Sequence, residues 1–170
     1  DSKFGFDPDQ LESTLIQLKD KNWIRLTGLH THIGSQIFEL QPHKDLTEVM
    51  AEALALARQV GHPVEDLNVG GGLGIRYLQD DDPPSIHEWV KTISHGVKDA
   101  CESRNLELPR LMCEPGRSLV ANAGLTLYRL GARKEIPGIR TYISIDGGMS
   151  DNPRPITYQS PYTACLVDRP

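Results

Sequence analysis

The sequence lacks the features that would send a chain to a membrane, to nucleic acid or to an oxidising compartment. No apolar run in its 170 residues approaches the roughly 18–20 needed to span a bilayer. Lysine and arginine (18) are outnumbered by aspartate and glutamate (23), a net charge of -5. Neither nucleic acid nor an anionic membrane therefore has electrostatic support as a partner. The cysteines (Cys101, Cys113 and Cys165) are odd in number, widely spaced and form no Cys-x-x-Cys pair. That usage points to a reduced, cytoplasmic protein. The opening Asp1–Ser2–Lys3 does not read as a signal peptide. What is present is an ordinary globular composition, 38% hydrophobic and 24% charged, with no compositional case for disorder. Neither end reads as a terminus. Lys3–Phe4–Gly5–Phe6 resembles the end of a strand and Asp168–Arg169–Pro170 stops abruptly, so a segment of a longer protein is expected.

Helix and strand signals alternate along most of the chain. Asp7–Pro8–Asp9–Gln10 predicts a helix start, with an N-cap, a proline at the first position and a capping-box glutamine; Leu11, Leu15 and Leu18 follow at helical spacing. Ile24–Leu29 predicts a strand that ends in His30–Thr31–His32. From about Lys44 to Val60, Leu46, Val49, Met50, Ala53 and Ala57 mark an amphipathic helix, stopped by Gly61 and Pro63. Leu67–Val69 predicts a strand entering Gly70–Gly71–Gly72. Ser85–Ile86–His87–Glu88 is a capping box, and Trp89, Ile93, Val97 and Ala100 form the helix face behind it. Arg110–Cys113 predicts a strand that meets Glu114–Pro115–Gly116–Arg117. Alternating β and α elements argue an α/β fold with a parallel sheet, and polar motifs just after the strands fit a barrel or an open doubly wound sheet. After Ala121 the pattern changes. Leu125–Leu130 and Arg140–Ile145 look like strands with no helix between them, which predicts a domain change from residues 1–120 to residues 121–170.

Four stretches can carry chemistry. His30-x-His32 on a strand would point both imidazoles to one face, as a pair of metal ligands requires, but no cluster elsewhere offers a third and fourth ligand. A barrel-mouth histidine beside a packed or solvated one explains the pair equally. Gly34–Ser35 offers an N–H and a hydroxyl, which suit an anion better than a metal. Gly70–Gly71–Gly72–Leu73–Gly74 lets backbone N–H groups approach a phosphate, although a tight turn alone would account for it. It lacks the lysine of a nucleotide phosphate loop and the spacing of a dinucleotide fingerprint. Glu114 and Arg117, three residues apart, can hold a ligand with a cationic and an anionic part, or simply pair with each other. Asp146–Gly147–Gly148–Met149 with Arg154–Pro155 and Tyr158 makes a second polar loop.

In their order and approximate spacing, His32–Gln36, Gly70–Gly74, Glu114–Arg117 and the Asp146–Tyr158 loop resemble the pyridoxal-phosphate-dependent decarboxylases with an alanine-racemase-like barrel. The Asp146–Tyr158 loop resembles the diaminopimelate-cleaving branch more than the ornithine and arginine branches. The resemblance implies the C-terminal part of a TIM-type (β/α)8 barrel followed by the start of a β-rich domain. It implies pyridoxal 5'-phosphate as cofactor, decarboxylation of meso-diaminopimelate to lysine as the parent's activity, an amino acid as substrate and a homodimer. His32 would stack on the pyridine ring. Ser35, the Gly70, Gly71 and Gly72 backbone and Arg117, in the Glu114–Pro115–Gly116–Arg117 turn, would hold the phosphate. Glu114 would pair with the pyridine nitrogen, and His32 and Glu114 are thus the catalytic candidates. Arg154 and Tyr158 would bind a substrate carboxylate, with Arg117 a further candidate. The cofactor-linking lysine of the family, in a Lys-Ala-Asn-like setting, has no counterpart in these residues, and Lys3 belongs to a different strand. Cys101–Glu102–Ser103 imitates the start of the family's partner-subunit cysteine motif, but it continues Arg104–Asn105 in a predicted helix and is read as accidental. A metal-dependent hydrolase built on His30-x-His32 and a catalytically incomplete fragment that binds phosphate or pyridoxal phosphate are the competing readings.

Overall fold

The computed structural model describes residues 3–168. Asp1, Ser2, Arg169 and Pro170, on which the reading of the two ends partly rests, lie outside the described residues. The chain divides into two compact units. One comprises the chain up to Arg76 with Asp80–Ala121, the other Tyr77–Gln79 with the chain from Asn122 onward.

The first unit is a β-α repeat. Helix α1 (Pro8–Lys19) starts where Asp7 caps it, the carboxylate accepting from Asp9 N–H at 3.1 Å. The bond is taken at the second helical position, so the capping box expected of Gln10 gives way to a simpler cap. Lys3–Phe6, expected as a strand end, forms no strand: residues 3–5 are bent, and both phenylalanines are exposed. Helix α2 (Gln41–Val60) begins three residues earlier than its apolar pattern suggests, because Pro42 fits its first turn. Gly61 ends it at φ 103, a left-handed conformation that glycine adopts without steric cost. Helix α3 (Ile86–Ser103) carries the full capping box between Ser85 and Glu88. The Ser85 hydroxyl bond holds the Glu88 carboxyl below the usual carboxylate range.

Strands β1 (Gly28–His30), β2 (Asp66–Asn68) and β3 (Arg110–Met112) are short and parallel, in the order β1-β2-β3. The strand expected over Ile24–Leu29 is therefore only its last two residues plus His30. Backbone bonds extend the pairing past the strand ends, from Thr31 N–H to the Asn68 carbonyl (3.0 Å) and from Val69 N–H to the Met112 carbonyl (3.0 Å). Leu67 and Val69 are fully buried with Leu54, Ala57, Trp89, Ile93 and Val97 of the two helices, and this is the core of the unit. Alternation then puts the register partners His30, Asn68 and Met112 on the opposite face from Leu67. The α2 face differs from its expected set at two positions, of which Ala53 is only half-buried. Val49 is exposed, while Ala51 and Leu54 are buried in their stead.

The second unit is built on an antiparallel hairpin, β4 (Leu130–Ile136) and β5 (Arg140–Ile145). Ile139 N–H bonds the Ile136 carbonyl at 3.0 Å and Gly138 sits at φ 73. Pro137–Gly138 are thus the central pair of a type II turn. That turn, rather than the Leu-x-Leu alternation, fixes the register. The strand expected over Leu125–Leu130 does not form, and β4 begins at its last residue. A bulge between Leu130 and Arg133 lets Gly131 pass Ser144 closely. A single helical turn, Arg154–Thr157, follows.

Candidate functional site

The functional residues of the first unit come from the segments that follow the carboxyl ends of its three strands, with Arg117 in the short helix Gly116–Val120 after β3. Each loop is fastened to its neighbour, and the glycines are where the fastening is closest. A Cβ at Gly70 would strike the Thr31 carbonyl, one at Gly71 the Glu114 carbonyl, and one at Gly72 would lie 2.7 Å from the Gly34 carbonyl. Gly70 and Gly72 also have φ of 68 and 108. The glycine run is therefore required by the packing of three loops before any ligand is considered.

Gln36 fixes the loop after β1. It sits at φ 60, a strained conformation for a non-glycine residue. Its amide donates to the Ile75 carbonyl at 2.7 Å and accepts from Ile75 N–H at 3.2 Å. The strain is thus held by a two-point bond between the first and second loops, one residue from Ser35. The Ser35 hydroxyl accepts from Arg117 Nε at 3.1 Å, which joins the first loop to the third.

His32 lies beyond the end of β1, exposed, and its Nδ1 accepts from Gly71 N–H at 3.3 Å. The neutral ring therefore carries its proton on Nε2. His30, on the strand itself, has Nε2 3.6 Å from Glu114 Oε1. The two imidazoles are not presented together as a strand pair, because the strand ends between them. Among the described residues no group of three or more His, Cys, Asp or Glu side chains is arranged to hold a metal ion. The hydrolase reading has no ligand set there.

Glu114 Oε1 also accepts from Asn68 Nδ2 at 2.8 Å, and Asn68 Oδ1 accepts from Gly70 N–H at 2.9 Å. Asn68 was not among the residues expected to act. An Asn that closes a strand two residues before a bound N–H is a recognisable signal, since the side chain can bond its own backbone two residues on.

This donor set fits pyridoxal phosphate. Arg117 and the Ser35 hydroxyl supply a charge-assisted grip suited to a phosphate. The N–H groups of Gly70 and Gly71 are already taken by Asn68 and His32, whereas that of Gly72 has no partner among the described residues. A Cβ at Gly116 would meet nothing within 4 Å, so the missing side chain there leaves open space beside Pro115. Glu114 has a second carboxylate oxygen with no bond among the described residues, available to a protonated ring nitrogen.

Arg154 and Tyr158 belong to the second unit. There the Arg154 guanidinium lies 5.6 Å from the Tyr158 ring centroid, and Arg154 Nη2 donates to Ser160 Oγ at 3.4 Å. In the same unit Asp146 accepts from Arg129 N–H (2.8 Å) and Asp151 from Gly148 N–H (2.8 Å), so the glycine loop is braced by its own carboxylates. Cys101 is fully buried in α3, and burial pushes its thiol up, the opposite of what a reactive cysteine needs.

Residues 1–121 match the family described as pyridoxal-dependent decarboxylase, pyridoxal binding domain. The chain is 56% identical over 169 residues to a diaminopimelate decarboxylase of Synechocystis sp., covering 99% of this chain and 36% of that protein. It is 44% identical to the diaminopimelate decarboxylase of Bacillus subtilis, covering 99% and 39%. Among solved structures, diaminopimelate decarboxylase of M. jannaschii in co-complex with L-lysine superposes with a TM-score of 0.83 at 32% identity, covering 95% of this chain and 37% of that one. The chain thus spans a little over a third of the length of the relatives it matches.

Proposed function

The chain belongs to the pyridoxal-dependent decarboxylases, through the pyridoxal-binding domain of that family, and from that premise we propose that the protein carrying it converts meso-diaminopimelate to lysine. The observation that carries the proposal is the convergence of His32, Ser35, Gly72, Glu114 and Arg117 on one end of the parallel sheet, in loops tied to one another. The similarity to diaminopimelate decarboxylases over nearly the whole chain supports this substrate above ornithine or arginine.

When bound, the cofactor's pyridine ring accepts the electron pair left behind as CO₂ departs. The chain's own residues prepare that event. Ser35 and Arg117 hold the phosphate, with Gly72 and the Pro115–Gly116 turn beside it. Glu114 keeps a proton on the ring nitrogen, because a carboxylate at hydrogen-bond distance favours the protonated form. His32, fixed by Gly71, covers a ring face. Arg154 and Tyr158 of the second unit supply a guanidinium and a hydroxyl suited to a substrate carboxylate. The net change at the reacting carbon is replacement of a carboxylate by a proton.

In this reading residues 1–120 are the last βα units of a TIM-type barrel and residues 121–170 the entry to a β-rich domain. The sequential, parallel β1-β2-β3 order supports this reading. The protein works as a cytoplasmic homodimer. The test is CO₂ release by the full-length protein from meso-diaminopimelate, ornithine and arginine, with and without pyridoxal phosphate. Cofactor-dependent release chiefly from diaminopimelate is expected. A preference for ornithine or arginine overturns the substrate, and no cofactor-dependent release overturns the activity.

A further inference from the structure

We propose that Asn68 is a positioning residue: it fixes the Glu114 carboxylate for the cofactor's ring nitrogen and couples it to the glycine loop. The inference rests on the cofactor reading above and assigns a role to a residue outside the family's motif stretches.

Three hydrogen bonds form a closed circuit between the ends of β2 and β3. Gly70 N–H donates to Asn68 Oδ1 (2.9 Å), Asn68 Nδ2 donates to Glu114 Oε1 (2.8 Å), and Glu114 N–H donates to the Gly70 carbonyl (2.7 Å). The circuit defines the amide's orientation. Flipping it would set the carbonyl against a carboxylate and the NH₂ against an N–H, losing both side-chain bonds. Position 68 therefore needs an acceptor on one side and a donor on the other, half-buried, and an amide supplies both.

The consequence falls on Glu114. Its side chain is 56% exposed, and His30 Nε2, at 3.6 Å, is beyond hydrogen-bond reach. Asn68 is the one side chain among the described residues within hydrogen-bond distance of the carboxylate. Without it the carboxylate would sample several rotamers, and ordering them on ligand binding would weaken the contact with the ring. With Oε1 held by Asn68, Oε2 would be the oxygen left for the ring N–H. The register places Asn68 beside His30 and Met112 on the sheet face opposite the core, so no packing demand explains an amide there.

The test compares affinities of the full-length apoprotein for pyridoxal phosphate and for its 1-deaza analogue, whose ring carries C–H in place of nitrogen. The analogue keeps the phosphate and the aldehyde, so the ratio of the two dissociation constants isolates the Glu114 contact. Wild type should prefer pyridoxal phosphate. Asn68→Asp keeps the acceptor for Gly70 N–H but replaces the donor with a like charge facing Glu114. It should cut the preference roughly tenfold or more, the scale of one charged hydrogen bond, while binding of the analogue changes little. Should Asn68→Asp fail to fold, Asn68→Ser, uncharged and too short to reach Glu114, decides by the same ratio. A wild-type preference that survives in the folded variant overturns the role of Asn68 alone. Wild type binding both compounds equally overturns the Glu114 contact and the inference with it. Binding of neither overturns the cofactor reading as well.

Discussion

The two units put their side chains to opposite uses. In the first, α2 and α3 bury Leu54, Ala57, Trp89, Ile93 and Val97 in one core with Leu67 and Val69. In the second, no described residue is buried, and both strands of its hairpin are exposed almost throughout. Burial in the first unit holds three short strands in register, and their ends then bring His32, Glu114 and Arg117 into neighbouring loops. In the second unit local bonds do the holding: a Pro-Gly turn, a bulge, and carboxylates that brace their own glycine loop. A site assembled from residues some eighty positions apart, such as Ser35 with Arg117, needs the first kind of support.

The largest expected effect breaks that contrast directly. Leu54→Ala removes a fully buried side chain from the centre of the first unit. It should cost about 3–5 kcal/mol, as transfer and cavity losses add. Leu125→Ala, at a leucine 93% exposed, should fall within about 0.5 kcal/mol of wild type. Denaturant titration of the full-length protein measures both. A Leu125 variant that costs as much as the Leu54 one would show that the second unit owes its stability to burial of that leucine.

Glu114→Gln sharpens the contrast between holding a ligand and acting on it. The amide keeps the size of the side chain but no longer favours a protonated ring nitrogen. Turnover should fall on the order of 10²–10³, the loss expected for one transition-state interaction, with far less change in cofactor retention. Equal turnover would remove Glu114 from this role. Arg117→Ala should do the reverse. Its bond to Ser35 places it in the anion grip, so the apoprotein should bind pyridoxal phosphate more weakly by roughly 1.5–3 kcal/mol. An unchanged dissociation constant would assign Arg117 to the substrate instead.

How much was legible in the sequence follows the same division. Where residues are buried, periodicity exposed them: Trp89, Ile93, Val97 and Ala100 were read as one face and are all buried. Caps and stops at Ser85 and Gly61 were legible because their chemistry is local. The strand over Ile24–Leu29 was overlong because an apolar stretch does not say where its ladder partner ends. The strand over Leu125–Leu130 was misplaced because alternation without burial carries no register, and Pro137–Gly138 outweighed it. The site motifs were visible as types of residue. Their fastenings were not: the two-point bond of Gln36 and the bridging amide of Asn68 depend on loops brought together only by the sheet.

The smallest expected effect concerns a polar group inside the better-packed unit. His43 of α2 is fully buried, edge-on to Trp89 of α3 with ring centroids 5.7 Å apart. Among the described residues neither of its ring nitrogens has a hydrogen-bond partner, and Trp89 Nε1 has none either. Burial without a partner disfavours the charged ring and lowers its pKa from the ordinary 6.5. The unfolded chain then binds a proton at a pH where the folded one does not. Stability from the neutral ring is complete above about pH 6.5 and is lost as pH falls towards the folded-state value. His43→Met keeps an apolar side chain of adaptable shape and removes the proton site. Urea midpoints measured at about pH 7.5 and about pH 5.5 should drop further in wild type than in this variant. The two proteins differ at no other position, so the share of every other group cancels in the difference. Equal drops would mean that His43 gains a proton inside the fold at no cost, and hence that a partner reaches it there.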